Sequence, residues 1–190
     1  MDKLPGDYIA GFVDGEGCFA LKFRRDIRHD RKNKPVYFYW DVEFAILLRA
    51  DDKEILEQIQ QTLDCGRISI SKRGSARYSV NDIDDLMNKV IPFFQKYLLR
   101  AKKRHDFNLW KEAVTIFSRN RQVRIPNQRW FSKISKIRWK DGDIDRLKKI
   151  HTEMKQFKIK SKTKDWKWLP NYTTCRKNIL VRHEKSKENS

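Results

Sequence analysis

From Cys18 to Arg28 apolar and polar residues alternate one by one: Phe19, Leu21 and Phe23 share one side, and Ala20, Lys22, Arg24 and Asp26 share the other. A period of two predicts a strand with one buried face and one wetted, basic face. The alternation returns from Tyr37 to Leu48, where Trp40, Val42, Phe44 and Ile46 are interleaved with Asp41, Glu43 and Ala45; the polar stretch His29 to Pro35 connects the two. Past Asp51 and Asp52 the period changes. Ile55, Leu56, Ile59 and Leu63 recur at helical spacing, which predicts a helix over 53–63 with acidic residues ahead of it, where the dipole favours them. Two short runs, Gly66 to Lys72 and Ala76 to Val80, flank Arg73-Gly74-Ser75 and predict a hairpin in which Ile68 and Ile70 face Tyr78 and Val80. Helices are predicted over 83–90, closed by Pro92, and over 102–117, where Phe107, Trp110, Val114 and Phe117 recur. Ahead of all these, an apolar run opened by Asp7 and stopped at Asp14-Gly15 predicts a short early helix.

The resulting order, α-β-β-α-β-β-α-α, argues for an α+β fold with helices covering one face of a four-stranded sheet. The other face is left to solvent or ligand. It would carry Lys22, Arg24, Asp41, Glu43, Arg67, Ser69, Ser71, Arg77 and Ser79. In the first helix Gly11 and Gly15 are four apart, so one helix face has almost no side chain and suits a very close packing partner.

Charge sharpens this picture. The chain has 190 residues and 43 Lys plus Arg against 25 Asp plus Glu, a net charge of +18. With 12% aromatic residues, that excess points to a polyanionic partner, since releasing condensed counterions from nucleic acid drives association. A charged surface kept for solubility is the alternative. The length fits one domain, a core over 5–120, followed by a basic, largely helical extension over 121–183 that includes a helical candidate from Asp143 to Phe157 and a lysine-rich stretch with Trp166 and Trp168. Residues 184–190 read as a disordered tail. No apolar stretch is long enough for a membrane span and the start lacks a secretory h-region, so the expectation is an intracellular protein of a bacterial cytoplasm or nucleoid, or of an organelle, with no membrane partner. Cys18, Cys65 and Cys175 are odd in number and far apart, which suggests neither a disulfide framework nor a zinc site.

The string Ile9-Ala10-Gly11-Phe12-Val13-Asp14-Gly15-Glu16-Gly17, followed by Cys18-Phe19, closely resembles the LAGLIDADG motif of the homing endonucleases, with Glu16 where the family usually has its final Asp. The element order, the step Leu63-Asp64-Cys65-Gly66-Arg67-Ile68, and Ile91-Pro92-Phe93-Phe94 before a lysine-rich helix are similar to the family as well. The resemblance covers roughly residues 5–120. It implies a saddle of antiparallel strands lying in the DNA major groove, with helices on the saddle's other face. Residue chemistry agrees: Lys22, Arg24, Arg67 and Arg77 suit donation to guanine, and Asp41 and Glu43 suit acceptance from cytosine.

In the family two motif helices pack side by side. Only one copy is present here, which implies a homodimer with Tyr8, Gly11, Phe12 and Gly15 at its interface and a pseudo-palindromic duplex site of roughly 20 base pairs. The implied activity is that of a site-specific double-strand DNA endonuclease, a homing endonuclease, using magnesium or manganese for phosphodiester hydrolysis. A carboxylate just past a helix C-terminus, beside unsatisfied carbonyls, makes an oxygen-rich pocket for such a hard cation. Glu16 and the Gly15 carbonyl would hold the metal, and Lys102 or Lys103 would stabilise developing charge; a plain turn at Asp14 to Gly17 and a solvated lysine face are the bland alternatives. Where the best-known members carry a Gln and then an Arg that organise the attacking water, this chain has Leu48 and Asp52, with Arg49 the remaining candidate. The alternative function is a non-cleaving, maturase-like or regulatory protein of the same fold that binds RNA or DNA. A basic ribosome-associated protein would explain the charge but not the glycine-flanked acid, and no RRM, KH or zinc-finger pattern supports it.

Overall fold

The structure, a computed structural model, describes residues 3–27, 36–120, 139–156, 174–175 and 179–182. Helix α1 (Gly6–Glu16) runs directly into strand β1 (Gly17–Ile27), which pairs antiparallel with β2 (Val36–Arg49) from Gly17↔Ile46 to Ile27↔Val36. A single 3-10 turn, Ala50–Asp52, leads into α2 (Lys53–Leu63), and β3 (Arg67–Ile70) and β4 (Ser75–Val80) form the hairpin. β4 pairs with β2 from Phe44↔Val80 to Arg49↔Ser75, and β3 pairs with β4. These four strands form the expected antiparallel sheet, in the spatial order β1-β2-β4-β3.

Beyond them the described part of the extension holds strand beside the helix expected there. Among its described residues are one helix, α6 (Asp143–Glu153), and a small hairpin of β5 (Thr174–Cys175) and β6 (Ile179–Arg182). β6 pairs with the start of β2, Val36↔Arg182 to Phe38↔Leu180. Since β1 fills one edge of β2 over its whole paired length, β4 and β6 share the other edge end to end. Six strands thus form the sheet, and the extension includes strand as well as helix. The expected connection at His29 to Pro35, the pair Trp166 and Trp168, and the tail at 184–190 lie outside the described residues.

The period-two pattern explains the layers. Phe19, Leu21, Phe23, Phe38, Trp40, Val42, Phe44, Ile46, Ala76, Tyr78 and Val80 are buried on one sheet face, under the helices. Phe19 is the meeting point, with ring centroids 5.2 Å from Phe44, 5.6 Å from Phe94, 5.2 Å from Phe107 and 5.1 Å from Trp110. Burying each such aromatic contributes about 1.5–3 kcal/mol, so this cluster clamps helices α4 and α5 onto β1.

Pro92 does not close the helix it was expected to end. Helical backbone continues from α3 (Ile83–Asp85) through a wide turn over Leu86–Val90 into α4 (Ile91–Lys96), with Pro92 in the first turn of α4. The amide of Ile91 reaches back five residues to the Leu86 carbonyl. A regular turn would press the proline ring on the carbonyl four residues earlier; the wider turn makes room for it. α5 (Lys103–Asn120) extends three residues past its expected end. Asn120 is buried there, donating to the Ile116 carbonyl and to Asp143 at the head of α6, both at 2.6 Å.

Candidate active site and nucleic-acid interface

Helix α1 includes Glu16 as its last residue, where the sequence reading set it just past the helix end, and the Gly17 amide closes the helix on the Val13 carbonyl. A Cβ at Gly17 would lie 2.4 Å from the Val13 side chain and 2.8 Å from its carbonyl oxygen. Glycine at 17 is what lets the chain swing from helix into strand without a loop. The carboxylates of Asp14 and Glu16 then meet opposite fates.

Asp14 faces inward, a role the sequence reading did not assign. Its Oδ2 accepts from the backbone amides of Arg100, at 2.7 Å, and Ala101, at 3.3 Å, just ahead of α5. Its Oδ1 is buried with no hydrogen-bond partner among the described residues. In return Lys103, the first residue of α5, sends its ammonium to the carbonyls of Asp14, at 3.2 Å, and Gly15, at 3.0 Å. Each helix end therefore receives the charge that complements its dipole: an anion at the start of α5 and a cation at the end of α1. Lys103, not Lys102, is brought to the motif; Lys102 is exposed in the preceding turn.

Glu16 is exposed and makes no hydrogen bond or ion pair among the described residues. No group of three or more His, Cys, Asp or Glu side chains comes together among those residues, so the chain offers one carboxylate and one neighbouring carbonyl rather than a closed cage. Arg49 reaches Asp51 instead of this pocket, with Nε 3.1 Å and Nη2 2.7 Å from its carboxylate oxygens. Leu48 turns toward the core and Asp52 is exposed in the 3-10 turn.

The outer face of α1 is open. Tyr8 is 49% exposed and stacks on the half-buried Phe12, with centroids 6.3 Å apart. At Gly11 and Gly15 an added Cβ would meet nothing within 4 Å. The close packing expected at these glycines is therefore not supplied by the described part of the chain itself.

On the sheet's helix-free face the register aligns the expected residues in rows. Lys22 stands opposite Asp41, Arg67 opposite Ser79, and Ser69 opposite Arg77. Several of them are engaged with one another rather than left open to solvent. Glu43 is only 8% exposed, because Lys22 from β1 and Arg77 from β4 close over it; Lys22 hydrogen-bonds its Oε2, and Arg77 Nη2 is 2.8 Å from the same oxygen. Ser79, opposite Ala45, is buried too. Ser71 lies past the end of β3, its hydroxyl 2.7 Å from that of Ser75, closing the hairpin. Asp41 is held by Arg24 at 3.0 Å. Burial pushes the Glu43 carboxyl up, but hydrogen bonds from Lys22 and Arg77 outweigh it and hold the group below the ordinary range. At Asp41 burial wins over Arg24, and the carboxyl lies above its ordinary value. Leu47, which the sequence reading passed over, is 53% exposed on this face opposite Arg77.

Comparison with known proteins places this geometry. The profile of the family described as LAGLIDADG endonuclease matches residues 9–114. A probable intron-encoded DNA endonuclease 1 of Mycosarcoma maydis is 32% identical over 115 residues, which are 60% of this chain and 36% of that protein. A probable intron-encoded endonuclease 2 of Neurospora crassa is 32% identical over 124 residues, 63% of this chain and 26% of that protein. The match thus spans little more than a third, or less, of these relatives. Among solved structures, the homing endonuclease I-TnaI superposes with a TM-score of 0.61 at 23% identity, over 80% of this chain and 89% of that one, a likeness of fold. The meganuclease I-SmaMI, bound to uncleavable DNA, gives 0.52 at 28% identity over 62% of this chain and 39% of that one.

Proposed function

Since this chain belongs to the LAGLIDADG endonuclease family, we propose that it is a site-specific double-strand DNA endonuclease that cuts a long pseudo-palindromic site by divalent-metal-assisted phosphodiester hydrolysis. The observation that carries this reading is the Glu16 carboxylate at the exposed end of α1, unpartnered among the described residues and beside the carbonyls that Lys103 reaches. The residues present fit half of a magnesium or manganese site, because such an ion takes one or two carboxylates and completes its shell with phosphate and water. Glu16 and the Gly15 carbonyl would hold it. When bound, the ion supplies charge that polarises the phosphate and acidifies a water.

The rest falls to the protein's own groups. Lys103 holds an ammonium 3.0 Å from the Gly15 carbonyl, where negative charge builds on the phosphate, and Asp14 keeps α5 in place to present it. The second carboxylate comes from a second motif helix, packed on Tyr8, Gly11, Phe12 and Gly15. With one motif in the chain, a second copy is the supplier we favour, giving a homodimer and a two-fold site. Lys22, Arg24, Arg67 and Arg77 donate to bases in the major groove, and Leu47 offers apolar surface to a thymine methyl. Relatives named as intron-encoded support an origin within an intron.

The test is cleavage of a randomised, approximately palindromic duplex library, enriched by binding in calcium and then given magnesium, with the new ends sequenced. Paired nicks at fixed, staggered positions about a two-fold centre are expected. Sequence-specific binding without new ends would overturn the endonuclease and leave a protein that only binds.

A further inference from the structure

Glu43 sits at the crossing of three strands. Its own strand, β2, lies between β1, which carries Lys22, and β4, which carries Arg77, and both cations end on the same oxygen, Oε2. At 8% exposure the carboxylate is covered by the side chains it binds and presents almost nothing to a ligand arriving at the face. The cations differ: the Lys22 and Arg77 side chains are 34% and 36% exposed, wetted on the outward side while anchored on the inward side. A long, flexible cation fixed at one point keeps its remaining donors in a narrow range of directions, and this is what separates base reading from loose phosphate attraction.

We propose that Glu43 is a positioning residue for sequence recognition: it touches no base, and it orients Lys22 and Arg77 so that both read guanine in the major groove. This rests on the DNA-binding reading above and reverses the expectation that Glu43 itself accepts from cytosine. Two consequences follow from charge and geometry. Without the carboxylate, Lys22 and Arg77 become mobile free cations. Discrimination at the base pairs they read should then fall on the order of tenfold at each, while affinity for unrelated DNA rises. The salt dependence of that unrelated binding should steepen by about one to two in log-log slope, as the newly free cations find phosphates.

The experiment selects bound duplexes from a randomised library in calcium with the full chain, comparing wild type, Glu43→Gln, Lys22→Ala/Arg77→Ala, and the same pair combined with Glu43→Gln. In the wild-type background Glu43→Gln should erase the preferences that Lys22→Ala/Arg77→Ala erases. In the paired background it should change nothing further, because a residue that acts through two others has no effect once they are gone. An unchanged profile for Glu43→Gln overturns the proposal. A further preference lost in the paired background does so too, since it would mean that Glu43 reads a base directly. If Glu43→Gln alone proves too unstable to use, Glu43→Asp takes its place, and its carboxylate, one methylene shorter, should lose the same preferences because it no longer reaches both cations. Wild type without any sequence preference would be a different failure, that of the DNA-reading function itself.

Discussion

The end of α1 and the middle of the open sheet face carry the same residue types and treat them in opposite ways. At the helix end the cation, Lys103, goes to carbonyl oxygens and Asp14 goes to backbone amides, which leaves Glu16 without a partner among the described residues. On the sheet the acids are matched by cations, Glu43 by Lys22 and Arg77 and Asp41 by Arg24. An exposed carboxylate with no competing cation on it is a place for a metal ion to bind. A carboxylate already bound to two side chains attracts no ion but fixes where its partners point. On the function proposed above, which acids are left open is what separates chemistry from recognition.

The largest effect should come from closing that opening. Glu16→Gln removes the charge while keeping the shape, and cleavage in magnesium should fall by about 100-fold or more, with specific binding in calcium retained. Gly11→Leu addresses the face beside it. Nothing in the described chain lies within 4 Å of a Cβ there, so the isolated chain should gain up to about 1 kcal/mol in thermal unfolding from better helix propensity. In the homodimer proposed above, self-association measured by sedimentation should weaken about 10- to 100-fold, because a second α1 can no longer approach.

The link between α1 and α5 comes next. Asp14→Ala leaves the Arg100 and Ala101 amides without their acceptor and should cost about 1–3 kcal/mol in denaturant unfolding. Lys103→Ala should slow cleavage about tenfold, with unfolding changed by less than about 1 kcal/mol, and Lys102→Ala should alter neither.

A third polar cluster gives the smallest effect and a pH signature. At the α5–α6 junction Arg146 forks onto Glu112 with two 2.6 Å bonds, while Arg119 and Asn120 bind the buried Asp143. The Arg146 hydrogen bonds hold Glu112 below its ordinary 4.5. Burial pushes Asp143 up, but Arg119 and Asn120 outweigh it and hold the carboxyl below 3.8. Depressed carboxyls stabilise the fold above their unfolded values, and that stability is lost as pH falls through the folded ones. Amide protection in α6, corrected for the intrinsic pH dependence of exchange, should therefore fall on acidification below about pH 4, ahead of protection in α1.

Much of this was legible in the sequence wherever a local rule sufficed. Alternation located β1 and β2 within a residue, the helical spacing of Ile55, Leu56, Ile59 and Leu63 gave the bounds of α2, and the nine-residue motif pointed to Glu16. What escaped depends on distance along the chain. Asp14 acts through amides 86 and 87 residues away. The covering of Glu43 needs two strands to converge on it, so alternation alone set it on the polar face and left it wet. Pro92 reads as a stop unless a wide turn precedes it, and short strands such as Thr174–Cys175 carry no period to detect. The choice between Lys102 and Lys103 likewise rested on the phase of a helix start, and that phase turns Lys103 toward α1.

The division between the two regions is tested most directly by setting Glu16→Gln and Glu43→Gln side by side on the duplex selected by the wild type, with cutting in magnesium and selectivity in calcium measured for each. Glu16→Gln should keep the wild-type selectivity and lose cutting; Glu43→Gln should still cut the duplex at saturating protein and lose selectivity. A Glu16→Gln protein that cuts at the wild-type rate, or a Glu43→Gln protein that selects as sharply as the wild type, would contradict it.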